Sequence, residues 1–391
     1  MGRARSIAKV IGFNVAGLAL ALVSAEIALR IIKPEALQAR LKMNESTRQE
    51  PAQAQGLFDF TDFRFKPESQ GQQTHAEYKY SVQHDRHGWR NPCFDFNKPA
   101  TSVIIGDSFA YGIGVSDQDL MQCQIKKHHS DENIYVLGIP GANIFYYIGI
   151  LKTQKQTIQS VANSDTAIDI MLCMGNDYEG LIAYGKGKNF NDFLMPSAQS
   201  ASNPTSPKSI DIFPSLTHTG VKARLSRLNS WIMKQAIVAD IHLLQALKLA
   251  LLQSSSIKDH GSYFSNYGGQ TFYKHGAPDN SEILAKALKR LNQDFRDNGF
   301  NLGKIILVPD GSEISEERLE RDSKLAGFNS DEINIDHKYS SLLKACNSEN
   351  ATCLDFRHRL TNKDYYQFDG HFRPSGVAVM SKAFMDTKSQ H

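Results

Sequence analysis

Hydrophobic positions fall into three regimes along the chain. Val10–Ile32 is one largely apolar run whose two charges, Glu26 and Arg30, fall in its last third. Hydrocarbon offers backbone polar groups no partners, so such a run is best satisfied as a helix in a bilayer. The uncharged stretch Val10–Ala25 is short for a full span, and Glu26 and Arg30 fall near one end, where side chains reach the interface. Residues 33–84 are polar and nearly aperiodic, which predicts a membrane-proximal linker. From residue 100 onward, short β-branched or apolar runs alternate with helical stretches. Predicted strands are Ser102–Ile105, Ile134–Leu137, Ala167–Met174, Lys304–Val308 and Thr352–Phe356. Predicted helices are Asp119–His128, Phe145–Val161, Glu282–Asp297 (stopped by Asn298-Gly299) and His337–Ala345. Strands alternating with helices imply parallel pairing, right-handed crossovers and helices on both faces of the sheet: an α/β fold.

Residues 178–280 interrupt this rhythm. Ser197–Ser209 is rich in Ser, Pro and Asn and reads as a loop. Trp231–Leu252 has helical spacing, and Lys234, Asp240, His242 and Lys248 make it a packed helix rather than a second span. The insertion is expected to cover or border a ligand site, because ligands bind at the loops following strand C-termini. The chain therefore divides into a cytoplasmic tail (1–9), a transmembrane anchor (10–32), a linker (33–84) and a domain (85–391) carrying an insertion at 178–280.

Composition narrows the partners. Hydrophobic residues make up 41% and charged residues 22% of the 391, enough apolar material for a real core. Lys plus Arg exceed Asp plus Glu by only 44 to 41, which argues against a nucleic-acid surface. Arg3, Arg5 and Lys9 precede the apolar run and place the N-terminus in the cytoplasm and the rest outside. Val23-Ser24-Ala25 fits a signal-peptidase site, and cleavage near Ala25 would release a secreted protein. Apolar residues continue through Ile32, which favours an uncleaved single-pass anchor in the cell membrane with an extracytoplasmic domain, periplasmic in a Gram-negative cell. The five cysteines cannot all pair within the chain, and none has zinc-ligand or CxxC spacing. Cys123 and Cys173 lie in apolar segments and read as buried free thiols. Cys346 and Cys353 flank a polar hexapeptide, and a disulfide there would need an oxidising compartment. No motif calls for a cofactor or metal.

Chemistry concentrates at the predicted strand ends. Gly106-Asp107-Ser108 follows the first strand, where a serine nucleophile would be exposed and a following turn would offer N–H groups to an oxyanion. Taken alone, this tripeptide is an ordinary polar turn. Gly138-Ile139-Pro140-Gly141-Ala142-Asn143 follows the second strand, and Gly175-Asn176-Asp177 ends the third. Glycine lets backbone approach a ligand, and the Asn176 amide can donate to a developing oxyanion. Near the C-terminus, Asp369-Gly370-His371 precedes a final helix, and a carboxylate so placed can hold the imidazole tautomer while the other nitrogen takes a serine proton.

The order Gly106-Asp107-Ser108, Gly141, Gly175-Asn176-Asp177, then Asp369 and His371 resembles the SGNH (GDSL) hydrolase family, in its membrane-anchored bacterial branch. His87-Gly88-Trp89-Arg90 is similar to a G-x-R segment that often precedes the first strand there, and Glu26-Ile27-Ala28-Leu29-Arg30 is similar to the end of the anchor. The likeness covers about residues 85–180 and 300–388 and leaves the insertion unmatched. It implies a three-layer α/β/α, flavodoxin-like fold with a five-stranded parallel sheet. It also implies Ser108 as nucleophile, His371 as general base and Asp369 as the group that orients it. The implied oxyanion hole is the Ser108 N–H, the Gly141 N–H and the Asn176 side chain, with Asp107 and Asp177 serving as structural partners of their loops. One departure stands out: the family spaces its acid and histidine Asp-x-x-His, and here the spacing is Asp-x-His.

Three functions follow as expectations. The first is an esterase removing small O-acyl groups, acetyl above all, from an envelope carbohydrate through an acyl-enzyme. The second is an O-acyltransferase that passes the same acyl group to a glycan hydroxyl. The third is a catalytically idle glycan-binding or assembly module on a membrane stalk, against which the intact Ser108, Asn176 and His371 speak.

Overall fold

Five predicted strand runs become the five strands of one sheet in the computed structural model, which describes residues 20–32, 58–59, 63–75, 77–189, 258–259, 261–264 and 270–388. Residues 20–32 belong to a unit separate from the domain and form helix α1, in which Arg30 Nε donates to Glu26 Oε1 at 2.8 Å. Residues 10–19 of the expected anchor lie outside the described residues. Among the described residues no helix is long and apolar enough to cross a membrane.

The domain opens with a pair of two-residue strands, β1 (Phe58–Asp59) and β2 (Arg64–Phe65), and a hairpin, β3 (Gln70–Thr74) and β4 (Lys79–Gln83). The main sheet contains β5 (Ser102–Gly106), β6 (Ile134–Gly138), β7 (Ile168–Cys173), β11 (Leu302–Val308) and β12 (Cys353–Asp355). Its order is β12-β11-β7-β5-β6, and every pairing is parallel. Between β7 and β11 lies a small antiparallel sheet of β8 (Lys258–Asp259), β9 (Ser262–Phe264) and β10 (Thr271–Tyr273). The helices are α2 (Ser108–Tyr111), α3 (Met121–His128), α4 (Ile144–Thr153), α5 (Lys155–Val161), α6 (Asp177–Gly185), α7 (Ser281–Asp297), α8 (Glu316–Ala326), α9 (His337–Ser348) and α10 (Pro374–Lys388).

Side chains alternate across a strand, so one run fills two cores. Val103, Ile105, Ile170, Leu172 and Leu307 pack on one side against α4, α5, α6, α7 and α9. Ile104, Val136, Met171, Ile306 and Val308 pack on the other side against α3 and α10. This is the expected three-layer α/β/α arrangement. Helix α7 shows how the outer layers are encoded: Leu284, Ala287, Leu288, Leu291 and Phe295 recur at helical spacing and are all buried. The chain runs from β5 to β6 on one side, then crosses to β7 on the other. That reversal opens a crevice beyond the C-terminal ends of β5 and β7.

Several expectations need correction. Residues 63–84 were expected in the linker, yet they fold onto the domain as β2 and the β3–β4 hairpin. Their packing comes from alternation in β4, where Tyr80 and Val82 are buried between exposed Lys79, Ser81 and Gln83. The helix expected over Phe145–Val161 is two helices that break at Gln154. Helices α6 and α8 were not expected, the first because residue 178 was taken as the start of the insertion, the second because its sequence is mostly charged. Cys123 is not a free thiol but is bonded to Cys93, with Cα atoms 5.3 Å apart. It lies on the buried face of α3, and one turn on, Lys126 Nζ donates to the Cys93 carbonyl at 2.8 Å. Cys346 and Cys353 are also bonded, and Cys173 is free and buried. Trp231–Leu252 and Ser197–Ser209 lie outside the described residues.

Candidate active site

Ser108 is the first residue of α2, immediately beyond the end of β5. The short helix sits directly on the strand ends, which only glycine allows. A Cβ on Gly138 would lie 2.3 Å from the Tyr111 nitrogen, and one on Gly106 would lie 2.6 Å from the Ala110 Cβ. Asp107 caps the helix, its Oδ1 accepting the Phe109 N–H at 2.9 Å. Buried Arg90 staples the loop that follows: it donates to the carbonyls of Tyr111 (3.2 Å), Gly112 (2.6 Å) and Val115 (2.7 Å), and to Asp117 Oδ1 (2.9 Å). It also reaches the Ser81 carbonyl of β4 at 3.2 Å, so this arginine fixes the Ser108 turn to the hairpin.

The other two expected oxyanion donors stand on neighbouring strands. Gly141 lies in the loop after β6, with φ +74° and open space where a side chain would start. Among the described residues, neither the Ser108 N–H nor the Gly141 N–H has an acceptor in the chain. Asn176, after β7, directs its Nδ2 toward Asp107 Oδ2 at 3.4 Å, and the same oxygen lies 3.5 Å from Ser108 Oγ. Serine hydroxyl and asparagine amide thus share one neighbour across the β5–β7 crevice. Asp177 turns inward, its Oδ2 accepting the Tyr147 hydroxyl (2.8 Å) and the Cys173 N–H (2.9 Å). Burial pushes both the Asp107 and Asp177 carboxyls above the ordinary range, and their mutual repulsion raises Asp177 further.

Asp369 and His371 reach Ser108 from the loop ahead of α10. His371 Nε2 lies 2.8 Å from Ser108 Oγ, and its Nδ1 lies 2.6 Å from Asp369 Oδ2. Ser108, His371 and Asp369 are therefore joined in one hydrogen-bonded row. The shortened Asp-x-His spacing works because Gly370 has φ +84°, a left-handed turn that folds the carboxylate back onto the imidazole. The Tyr366 N–H donates to the His371 carbonyl at 2.9 Å and closes the loop. Arg318, also buried, grips the loop's start through the carbonyls of Tyr366 (2.8 Å) and Tyr365 (3.3 Å).

Burial alone would push the His371 imidazole down. Asp369 outweighs it, with Asp107 and Asp310 adding to the effect, and the group lies above its ordinary 6.5. Asp369 is held below its usual range: burial raises it, but His371, His75 and Tyr78 together prevail.

Sequence reasoning missed two contributors. The turn of the β3–β4 hairpin brings His75, Glu77 and Tyr78 against Asp369, with the Tyr78 hydroxyl donating to Asp369 Oδ2 at 3.0 Å. The Tyr-x-Val alternation of β4 was the available signal. Asp310, after β11, holds the Ser312 N–H and hydroxyl on its Oδ1 (2.9 and 2.7 Å). Its Oδ2 faces Gly175 and Gly370. Gln270, at the described end of the insertion, supports it by accepting from Ser312 Oγ (3.3 Å) and donating to Glu313 (3.1 Å). No group of three metal-ligating side chains comes together among the described residues.

No family model matches the chain, and no curated protein matches it. Among solved structures, it is similar to a member of the lipolytic protein G-D-S-L family from Veillonella parvula DSM 2008. That likeness has 12% identity and a TM-score of 0.34, and covers 74% of this chain and 98% of that one. A protein from Slackia heliotrinireducens, assigned to the SGNH hydrolases, is similar at 9% identity and a TM-score of 0.34, covering 74% of this chain and 100% of that one. These likenesses are too distant to carry either fold or reaction, which rest on the chain's own sheet order and on the row from Ser108 to Asp369.

Proposed function

We propose that the chain is a serine esterase of SGNH type that cleaves O-acyl esters through an acyl-enzyme. The observation that carries this reading is the row Ser108 Oγ–His371 Nε2 (2.8 Å) and His371 Nδ1–Asp369 Oδ2 (2.6 Å). Ser108 Oγ attacks the acyl carbonyl as His371 Nε2 takes its proton. Asp369 stabilises the imidazolium and stays ionised. The oxyanion that forms is met by the Ser108 and Gly141 N–H groups and the Asn176 amide. Collapse breaks the bond to the alcohol, which leaves with the proton from His371. A water molecule then repeats the sequence on the acyl-Ser108 ester and frees the acid.

The substrate reading is an acetyl ester on an envelope carbohydrate, met outside the cytoplasm by a domain on a membrane anchor. Two disulfides support an oxidising compartment, as does the apolar segment flanked by Arg3, Arg5 and Lys9. Acyl transfer to a glycan hydroxyl uses the same residues and differs only in the acceptor. Asp310 favours a hydroxyl-rich alcohol or acceptor in either reaction, because its Oδ2 accepts no hydrogen bond among the described residues and faces the loop between Asp369 and His371. The full-length chain should hydrolyse p-nitrophenyl acetate, and Ser108→Ala should slow it at least ~10³-fold. Undiminished activity in that variant would remove Ser108 from the reaction. Acetylated glycans, offered with and without a second glycan, then separate acetate release from transfer.

A further inference from the structure

The carboxylate that orients His371 stands at the tip of a turn, two residues from the base it serves. Among the described residues, only His371 of its own loop holds it, through Nδ1 on Oδ2 at 2.6 Å. Its other partners come from a single turn almost three hundred residues earlier. The Tyr78 hydroxyl donates to Asp369 Oδ2, the same oxygen that meets His371 Nδ1. His75 Nε2 lies 3.7 Å from the other oxygen, Oδ1. The Glu77 carboxylate accepts three consecutive backbone N–H groups, from Gln367 (2.8 Å), Phe368 (2.9 Å) and Asp369 (2.9 Å). Three such donors converging on one carboxylate define the backbone path they belong to.

The turn is itself closed. His75 N–H donates to the Tyr78 carbonyl at 2.8 Å, and Tyr78 N–H to the His75 carbonyl at 3.3 Å. The Glu77 N–H donates to His75 Nδ1 at 3.2 Å, which leaves Nε2 as the protonated nitrogen of the neutral ring, facing Asp369. The Tyr78 ring stacks on His75 (4.6 Å) and leans on Tyr366 (4.7 Å). The Tyr366 hydroxyl in turn donates to the Gly114 carbonyl in the loop behind Ser108 at 2.8 Å. The hairpin therefore touches the backbone of the acid, its carboxylate and the loop behind the nucleophile.

We propose that the His75–Tyr78 turn is a positioning clamp for the acid of the catalytic row, with Tyr78 setting the orientation of the Asp369 carboxylate and Glu77 setting the backbone beneath it. The inference rests on the reading of Ser108, His371 and Asp369 as that row. The clamp explains how an Asp-x-His spacing serves where the resembling family uses Asp-x-x-His: Gly370 supplies the turn, and the hairpin supplies the rigidity that a shorter loop lacks.

The charged and titratable groups around the pair are Asp369 on its own loop, Asp107 before α2, Asp310 after β11, and His75, Glu77 and Tyr78 on the hairpin. Tyr78 draws charge from the oxygen that holds the His371 proton. Its removal strengthens that oxygen as an acceptor and favours the imidazolium.

The test follows the His371 imidazole by NMR in the full-length chain with histidine labelled at Cε1, the signal assigned by its loss in His371→Gln. Tyr78→Phe should raise the His371 titration midpoint by ~0.3–0.6 pH units and lower kcat ~5- to 20-fold, with KM within about twofold. Glu77→Gln should lower kcat in the same way. In an Asp369→Asn background, Tyr78→Phe should leave the midpoint where Asp369→Asn alone puts it, because the effect passes through that carboxylate. A midpoint within about 0.1 unit of wild type in Tyr78→Phe overturns the clamp, including where the melting temperature falls, since that result assigns the hairpin to stability alone. An equal shift with and without Asp369 overturns it too. A chain whose Ser108 resists a fluorophosphonate but whose His371 midpoint shifts as stated keeps the clamp and loses the esterase reading.

Discussion

The two halves of the site are placed by different physics. Ser108, Gly141 and Asn176 stand at the ends of three adjacent strands, so the backbone ladder of β6, β5 and β7 sets their spacing. Asp369 and His371 stand on a loop outside the sheet, closed by the single isolated bridge Tyr365–Phe372. Side chains from far away in sequence hold them: Glu77 and Tyr78 on one side, Arg318 on the other. The sheet-borne half is rigid because hydrogen-bonded strands are rigid. The loop-borne half is rigid only as long as each of a few polar contacts persists. The first should tolerate change around it, and the second should not.

Asp369→Asn strikes the loop-borne half hardest. It should lower kcat by ~10³-fold or more, since the imidazolium loses its counter-charge and its tautomer control. The pH profile sharpens the point. His371 must be neutral to accept the serine proton, and Asp369 is the largest influence holding its value above 6.5. The acid limb of kcat/KM should therefore lie above pH 6.5 in the wild type, with activity lost as pH falls through it. In Asp369→Asn the limb should move to lower pH, and a limb that stays put would detach it from His371. On the sheet-borne side, Asn176→Ala should lower kcat by ~10²–10³ with little change in KM. An effect confined to KM would make Asn176 a binding group instead. The smallest effect is expected for Gly370→Ala. The left-handed backbone there costs an L-residue ~1–2 kcal/mol, while the added Cβ meets only Asp310 Oδ2, at 4.0 Å. Activity should drop several-fold through the loop, and calorimetry should show a modest loss of stability; an unaltered pair of readings would mean the turn is not under strain.

This division also explains what was legible in the sequence. The inner strands announce themselves because they are buried on both faces and must be apolar throughout, as Val103-Ile104-Ile105 is. The residues at their ends could be read from position alone, so Ser108 and Asn176 were singled out as candidates. His371 was singled out by its short local motif. The clamp was not found, because Gln70-Gly71-Gln72-Gln73-Thr74 carries no apolar alternation and its partner strand only a brief one. Hydrogen bonds between residues 78 and 369 leave no local trace. The Cys93–Cys123 bridge was missed for a related reason: Cys123 has the spacing of a core residue on α3, and only the fold reveals which cysteine it faces. Arg90 was noticed by resemblance, but its work in tying the Ser108 loop to β4 is visible only in three dimensions.

The central claim is that His371 activates Ser108 as a nucleophile. The most direct measurement is the mass of the full-length chain after exposure to a serine-reactive fluorophosphonate, with the adduct mapped by peptide. One adduct is expected, on the peptide containing Ser108, abolished by Ser108→Ala and strongly slowed by His371→Ala. Labelling elsewhere, or labelling at Ser108 that proceeds unchanged without His371, would contradict it.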